Sequence, residues 1–214
     1  MVTIIDLNIG NLQSVTNAFQ RVGISVSVSR TPEEAKDARV LVLPGVGAFE
    51  RAMVQLNRQG FAPLIRTHAL EYQRPLIGIC LGMQLLADRS YEHGVFEGLA
   101  LISGDVIPLE PRPPDARVPN IGWMSVKATK PSIMFPECVD GQSFYHVHSY
   151  HLACRDKSDV AATFCFADQQ IVTAVQRENV FGVQFHPEKS QDAGLNLLSA
   201  LMTHVTSLNR QHAV

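Results

Sequence analysis

The chain has 214 residues, with 18 Lys and Arg against 20 Asp and Glu for a net charge of −2. The basic residues are scattered, which leaves neither a nucleic-acid footprint nor a patch for an anionic membrane surface. Hydrophobic residues make up 46% and charged residues 18%, which excludes a disordered chain, and a core of this size needs no disulfide or metal staple.

In chain order, the first half alternates apolar strands with amphipathic helices. Val2–Asp6 reads as a buried strand. After Gly10, residues Leu12, Val15, Phe19 and Val22 form one helical stripe. Ile24–Val28 is a second strand. Thr31-Pro32-Glu33-Glu34 carries a helix-start signature: a capping hydroxyl, proline at the first helical position, then glutamate. Val40–Leu43 and Leu76–Ile79 are further strands, with helices predicted over Ala48–Asn57 and Pro63–Tyr72 between them.

Strands separated by helices imply parallel crossovers, and parallel strands are covered on both faces. The expected fold is therefore α/β, a doubly wound and mostly parallel sheet. From about Gly104 the strands shorten: Gly122–Val126, Ser143–Val147, Ile171–Gln176 and Val180–Phe185 are expected to form an antiparallel extension of the same sheet. Pro108–Pro119 reads as a proline-rich surface loop, and Leu195–Val205 as a closing amphipathic helix. One domain spanning 1–214 is expected.

Met1–Asp6 lacks the positive region of a signal peptide, and no apolar run approaches the ~18–20 residues of a bilayer span. The four cysteines, at 80, 138, 154 and 165, show no CxxC pair and no zinc-type spacing. A cytoplasmic protein in a reducing compartment is the expectation.

Three segments carry chemistry. Leu76-Ile77-Gly78-Ile79-Cys80-Leu81-Gly82 runs an apolar strand into G-x-C-x-G and then into helix-forming residues. That is a nucleophile-elbow layout with cysteine in place of serine. Glycines on both sides admit the sharp turn, and the helix N-terminus offers its N–H groups and positive dipole end to a thiolate. The competing reading is a buried core cysteine. Second, Phe185-His186-Pro187-Glu188 sets an imidazole and a carboxylate two apart. In an extended segment these point the same way, so Glu188 can orient His186 as a base toward a thiol. A surface His and Glu after a strand is the alternative. Third, Leu43-Pro44-Gly45-Val46-Gly47-Ala48 ends a strand in a glycine turn. Its exposed N–H groups, with that of Leu81, suit an oxyanion hole. A dinucleotide-binding loop is disfavoured, because the third glycine is missing and Glu50 would face the pyrophosphate.

Taken together, G-I-C-L-G-M-Q (78–84), P-G-V-G-A-F (44–49), V-H-S-Y (147–150) and G-V-Q-F-H-P-E-K-S (182–190) resemble class I glutamine amidotransferases, whose fold is flavodoxin-like. More narrowly, the opening I-I-D-x-x-x-G-N-L-x-S-V (4–15) and I-G-W (121–123) make the chain similar to the glutaminase subunits of imidazole glycerol phosphate synthases. The resemblance implies hydrolysis of glutamine to glutamate and ammonia. The ammonia would pass to a (β/α)8-barrel cyclase partner that closes an imidazole ring in histidine biosynthesis. It assigns Cys80 as nucleophile, His186 as base and Glu188 as its orienting carboxylate. It also implies Gly47 and Leu81 as the oxyanion hole and Gly45, Gln84, Ser149 and Tyr150 as glutamine-binding positions, with no cofactor.

Departures from that family concentrate where a partner would sit. Pro119-Asn120-Ile121-Gly122-Trp123-Met124 stands where P-H-x-G-W-N is common, and Leu7-Asn8-Ile9 where tyrosine and glycine are usual. Two alternatives follow: a paralogous glutaminase feeding a related barrel for surface-sugar amidation, or a non-catalytic docking subunit. The intact Cys80, His186 and Glu188 count against the second. His146, His148 and His151 fall within six residues, yet the acidic ligand of an H-x-H-x-D-H site is absent, so no metal site is expected. Cys138, Cys154 and Cys165 are expected in packing or surface roles.

Overall fold

The computed structural model describes residues 1–8, 12–111, 117–136 and 139–211, and side chains as far as residue 205. Ile9, Gly10, Asn11 and Cys138 lie outside the described residues, so the reading of each stays with the sequence. The strands, in chain order, are β1 (Val2–Ile5), β2 (Val26–Ser29), β3 (Leu41–Gly45), β4 (Leu76–Cys80), β5 (Arg89–Ser90), β6 (Phe96–Glu97), β7 (Gly104–Pro108), β8 (Asn120–Ser125), β9 (Lys127–Ala128), β10 (Ser143–His148), β11 (Tyr150–Cys154), β12 (Val160–Phe166), β13 (Gln169–Arg177) and β14 (Val180–Val183). The helices are α1 (Leu12–Arg21), α2 (Pro32–Ala35), α3 (Phe49–Arg58), α4 (Phe61–Arg66), α5 (Leu81–Gln84) and α6 (Gln191–Gln211).

Eight strands form the main sheet in the order β2-β1-β3-β4-β14-β13-β12-β9. The first five run parallel and the last three antiparallel. The period-2 alternation of the strands sends their side chains to two separate cores. Ile5, Leu41, Leu43 and Leu76 pack under α3 and α4 with Phe49, Leu56, Phe61 and Ile65. Ile4, Val42, Ile77 and Ile79 pack under α1 and α6 with Phe19, Leu197 and Leu201. Both faces are thus covered, as a parallel sheet requires. No helix among the described residues is long and apolar enough to cross a membrane.

The antiparallel extension is smaller than the sequence pattern suggests. β14 pairs parallel with β4 on one side and antiparallel with β13 on the other, so the expected Val180–Phe185 strand is the hinge between the two halves. β8 and β10 form a two-stranded sheet of their own. A third sheet, in the order β11-β7-β5-β6, includes two-residue strands too short to carry a periodic signal. Strand periodicity reports which face is buried and says nothing about which neighbour supplies the hydrogen bonds.

Helix boundaries also shift. The predicted Pro63–Tyr72 helix begins at Phe61 behind a left-handed Gly60 and loosens into a π-turn over Thr67–Glu71. Helix α2 is a single turn, capped by Thr31, whose Oγ1 accepts from the Glu34 N–H at 3.4 Å. The Glu34 carboxylate reaches back to the Arg30 N–H at 2.8 Å, one residue before the usual capping-box target.

Candidate active site

Chain register assembles the site at the carboxyl ends of the parallel strands. Gly45 at the end of β3 lies beside Cys80 at the end of β4, and Val183 at the end of β14 lies beside Ile79. This is the edge at which ligands bind in open α/β sheets.

Cys80 sits at φ 54°, ψ −111°, a conformation that side chains rarely adopt, and heads α5. The flanking glycines make that turn sterically allowed. A Cβ on Gly78 would come within 2.7 Å of the Gly82 carbonyl oxygen, and a Cβ on Gly82 within 1.7 Å of that of Leu43. Neither position admits a side chain, so the elbow depends on both glycines.

His186 follows β14, and Pro187–Lys189 forms one turn of 3-10 helix. The extended geometry expected for H-P-E is therefore replaced by a proline-started turn. The turn still delivers the carboxylate: Glu188 Oε1 lies 2.7 Å from His186 Nδ1. His186 and Glu188 side chains are 3% and 6% exposed, so this is a desolvated pair. His186 Nε2 is buried and makes no regular hydrogen bond among the described residues; the neighbouring Cys80 sulfur acts on that ring. Burial alone would push the His186 pKa down, but the Cys80 sulfur and the Glu188 carboxylate outweigh burial and carry it up to about 9. Ser190 locks the segment to β10, its Oγ donating to the His186 carbonyl at 2.6 Å and accepting from the Tyr145 N–H at 3.0 Å.

Cys80 and His186 open into one cleft of about 270 Å³, also lined by Val46, Gly47, Leu81, Gln84, Glu92, Val147, His148, Ser149 and Tyr150. Of the positions expected from the sequence, Cys80, His186, Gly47, Leu81, Gln84, Ser149 and Tyr150 reach this cleft. Glu188 stands behind His186, and Gly45 is buried against Leu81, where an added Cβ would meet the Leu81 Cβ at 3.2 Å. Gly47 adopts φ +98°, a region that favours glycine.

Two residues of the site escape sequence reasoning. Glu92 lies in a turn with no periodic signal; its carboxylate accepts from the Phe49 N–H at 2.7 Å, which fixes it at the start of α3 on the cleft wall. Gln184 is fully buried and reads in the sequence as one more strand residue. Its Nε2 donates to Cys80 Sγ at 3.8 Å and its Oε1 accepts from Gln84 Nε2 at 2.9 Å.

The two histidines on β10 are committed to protein partners, whereas His151 Nδ1, on β11, is buried with no hydrogen-bond partner among the described residues. His146 Nδ1 lies 3.0 Å from the Phe144 carbonyl and Nε2 2.7 Å from Thr173 Oγ1. His148 Nδ1 lies 2.8 Å from the Tyr150 carbonyl. Burial pushes the His146 pKa down to about 3 and that of His148 to about 4. Among the described residues no group of three or more His, Cys, Asp or Glu could hold a metal ion. Cys154 is buried and Cys165 exposed.

A sequence profile of the glutamine amidotransferase class-I family matches residues 3–202. The imidazole glycerol phosphate synthase subunit HisH of Chlorobaculum tepidum is 43% identical over 198 residues, covering 92% of this chain and 97% of that protein. The subunit of the same name from Lactococcus lactis is 40% identical over 204 residues, covering 95% and 98%. Among solved structures, PurLQS from Thermotoga maritima superposes with a TM-score of 0.73 at 16% identity, covering 95% of this chain and 98% of that one. A glutamine amidotransferase superposes at 0.71 with 19% identity, covering 95% and 98%. The solved structures speak to the fold.

Proposed function

The chain belongs to the class-I glutamine amidotransferase family, and from that premise we propose that it is the glutaminase subunit of an imidazole glycerol phosphate synthase, handing ammonia from glutamine to a (β/α)8-barrel cyclase. The observation that carries this reading is the strained Cys80 sharing one cleft with a buried His186 that Glu188 holds at 2.7 Å. The near relatives named HisH supply the choice of synthase.

The chemistry follows from the geometry. Cys80 Sγ attacks the side-chain carbonyl carbon of glutamine, and the N–H groups of Leu81 and Gly47 receive the developing oxyanion. Leu81 opens α5, so its N–H has no acceptor four residues back. His186 holds a proton at neutral pH and gives it to the departing amine, releasing ammonia and leaving a thioester on Cys80. Water then loses a proton to His186 and attacks the thioester carbonyl; glutamate leaves and the sulfur is regenerated. Glu92, the carboxylate on the cleft wall, suits the α-ammonium of glutamine, with Ser149 and Tyr150 closing the far side.

Ammonia released into water is wasted, so a partner has to cover the cleft mouth. Residues on the outer face of β8 and β10 fit that need. Ile121 is 59% and Trp123 47% exposed, Tyr145 stacks edge-on against Trp123, and Val147, paired with Ile121, reaches the cleft. Val46, 40% exposed, extends the apolar strip to the oxyanion turn. A partner pressing there can bias the Val46–Gly47 peptide between two orientations, one presenting a carbonyl and one an N–H to the oxyanion. Loss of one such donor costs about 10²–10³ in turnover. Glutamine hydrolysis is therefore expected to be slow for the chain alone and to rise by that order with the cyclase and its substrate analogue. Full turnover by the isolated chain, unchanged by either addition, would instead mark a free-standing hydrolase.

A further inference from the structure

Resting on the reading of Cys80 as the nucleophile, we infer that Gln184 is a positioning residue for its sulfur, the direction of its amide being dictated, through Gln84, by the backbone carbonyl of Tyr150.

The sheet register places Gln184 for this role. It stands one residue past Val183, which pairs with Ile79, so it is level with Cys80 on the neighbouring strand. Gln84 lies one helical turn beyond Cys80, on the same side of α5. Gln84 Nε2 donates to the Tyr150 carbonyl at 2.9 Å and to Gln184 Oε1 at 2.9 Å, and Gln184 Nε2 donates to Cys80 Sγ at 3.8 Å.

The order of donors in this chain is forced. A backbone carbonyl only accepts, so the Gln84 atom facing Tyr150 must be its NH2. That group's second proton then points at Gln184, whose facing atom must be oxygen. The NH2 of Gln184 is left to face the sulfur. Reversing either amide would set two acceptors against each other in a buried site, where an unmatched polar group is costly.

The same carbonyl is gripped from a second side. His148 Nδ1 lies 2.8 Å from Tyr150 O, which requires Nδ1–H and leaves Nε2 bare, 3.4 Å from the Asn120 side-chain nitrogen. A continuous hydrogen-bonded path thus runs from Asn120, at the head of the strand bearing exposed Ile121 and Trp123, to the sulfur. A donor aimed at the sulfur holds it where it attacks, so Gln184 acts on the positioning of Cys80 and contributes little to holding glutamine.

Two substitutions test this in the full chain with its barrel subunit. Gln184→Met keeps length and removes the donor; Gln184→Glu still accepts from Gln84 but turns an oxygen to the sulfur. Gln184→Met should lower kcat for glutamine about 10- to 100-fold, the worth of a hydrogen bond to a charged group, with KM changed less than about threefold. Alkylation of Cys80 by iodoacetamide at neutral pH should slow in parallel, more so for Gln184→Glu, while exposed Cys165 reacts as before. Values of kcat and Cys80 alkylation within about twofold of the parent in both variants would overturn the inference. Should neither variant fold, nitrogen-15 NMR of the unsubstituted chain decides. The Gln184 side-chain amide signals must move when Cys80 is alkylated, and their immobility refutes the contact. A parent complex that releases no ammonia from glutamine would refute the glutaminase reading instead, and the alkylation rates would still judge Gln184.

Discussion

Two regions of this molecule bury histidine almost completely and bring it to opposite charge states. His186, after β14, is 2% exposed and its pKa rises to about 9. His146 and His148, on β10, are 0% and 7% exposed and fall to about 3 and 4. Burial pushes all three rings the same way, toward the neutral form. The partners decide the outcome. His146 and His148 face backbone carbonyls, an amide and a hydroxyl, and neighbouring histidines, His186 among them, lower both further. His186 faces a carboxylate and a sulfur. Depth in the protein therefore says little about function here; the chemistry of the second atom says most.

The contrast can be broken most severely at the sulfur. Cys80→Ser should cut glutamine-dependent ammonia release on the order of 10⁴-fold or more, while synthesis from free ammonia by the partner persists. Diazo-oxo-norleucine should label Cys80 at one equivalent per chain. Cys154 offers the internal control, since burial pushes its thiol up to about 12. Labelling at Cys154 or Cys165 with Cys80 untouched would reassign the nucleophile.

A smaller loss separates the two members of the buried pair. His186→Ala removes the proton carrier and should cost about 10²–10⁴ in kcat. Glu188→Gln still accepts a hydrogen bond from Nδ1 and keeps the ring oriented, so its loss should be smaller. If Glu188→Gln proves as damaging as His186→Ala, the carboxylate's charge matters more than its aim. Equal and negligible losses would make H-P-E a structural turn.

The parallel half of the sheet and the glycine-flanked cysteine were legible in the sequence because each rests on local rules, and so was the pairing of His186 with Glu188, though through a turn and not the extended segment expected. Strand period, elbow sterics and residue spacing need no knowledge of distant neighbours. What escaped was long-range. Gln184 looks like any strand residue until β14 is known to lie beside β4. Glu92 gains meaning when its turn folds against the start of α3. The separate pairing of β8 with β10 had the expected alternation but not the expected neighbour. The short strands β5 and β6 lack the length to register at all.

The smallest expected effect comes with pH, because the two kinds of histidine must pull stability in opposite directions. His186 has a folded pKa of about 9, above its ordinary 6.5. Its contribution is complete below pH 6.5 and is lost as pH rises through 9. His146, His148 and His68, the last lowered to about 4 chiefly by burial, behave in reverse. Their contribution is intact above pH 6.5, and it is lost as pH falls toward 4 because the unfolded chain gains protons that the folded one refuses. Each titrating histidine changes stability by on the order of 1.4 kcal/mol per pH unit inside its window. Urea unfolding from pH 4.5 to 9 should thus give a maximum near neutrality with a limb on each side. Replacing His186 with Gln should flatten the alkaline limb and ease the acid one only slightly, because burial outweighs the His186 charge in lowering His146 and His148. Replacing His148 with Gln should ease the acid limb and spare the alkaline one. An alkaline limb that survives the loss of His186 would mean that its proton is not held by Cys80 and Glu188, and the contrast between the two regions would collapse.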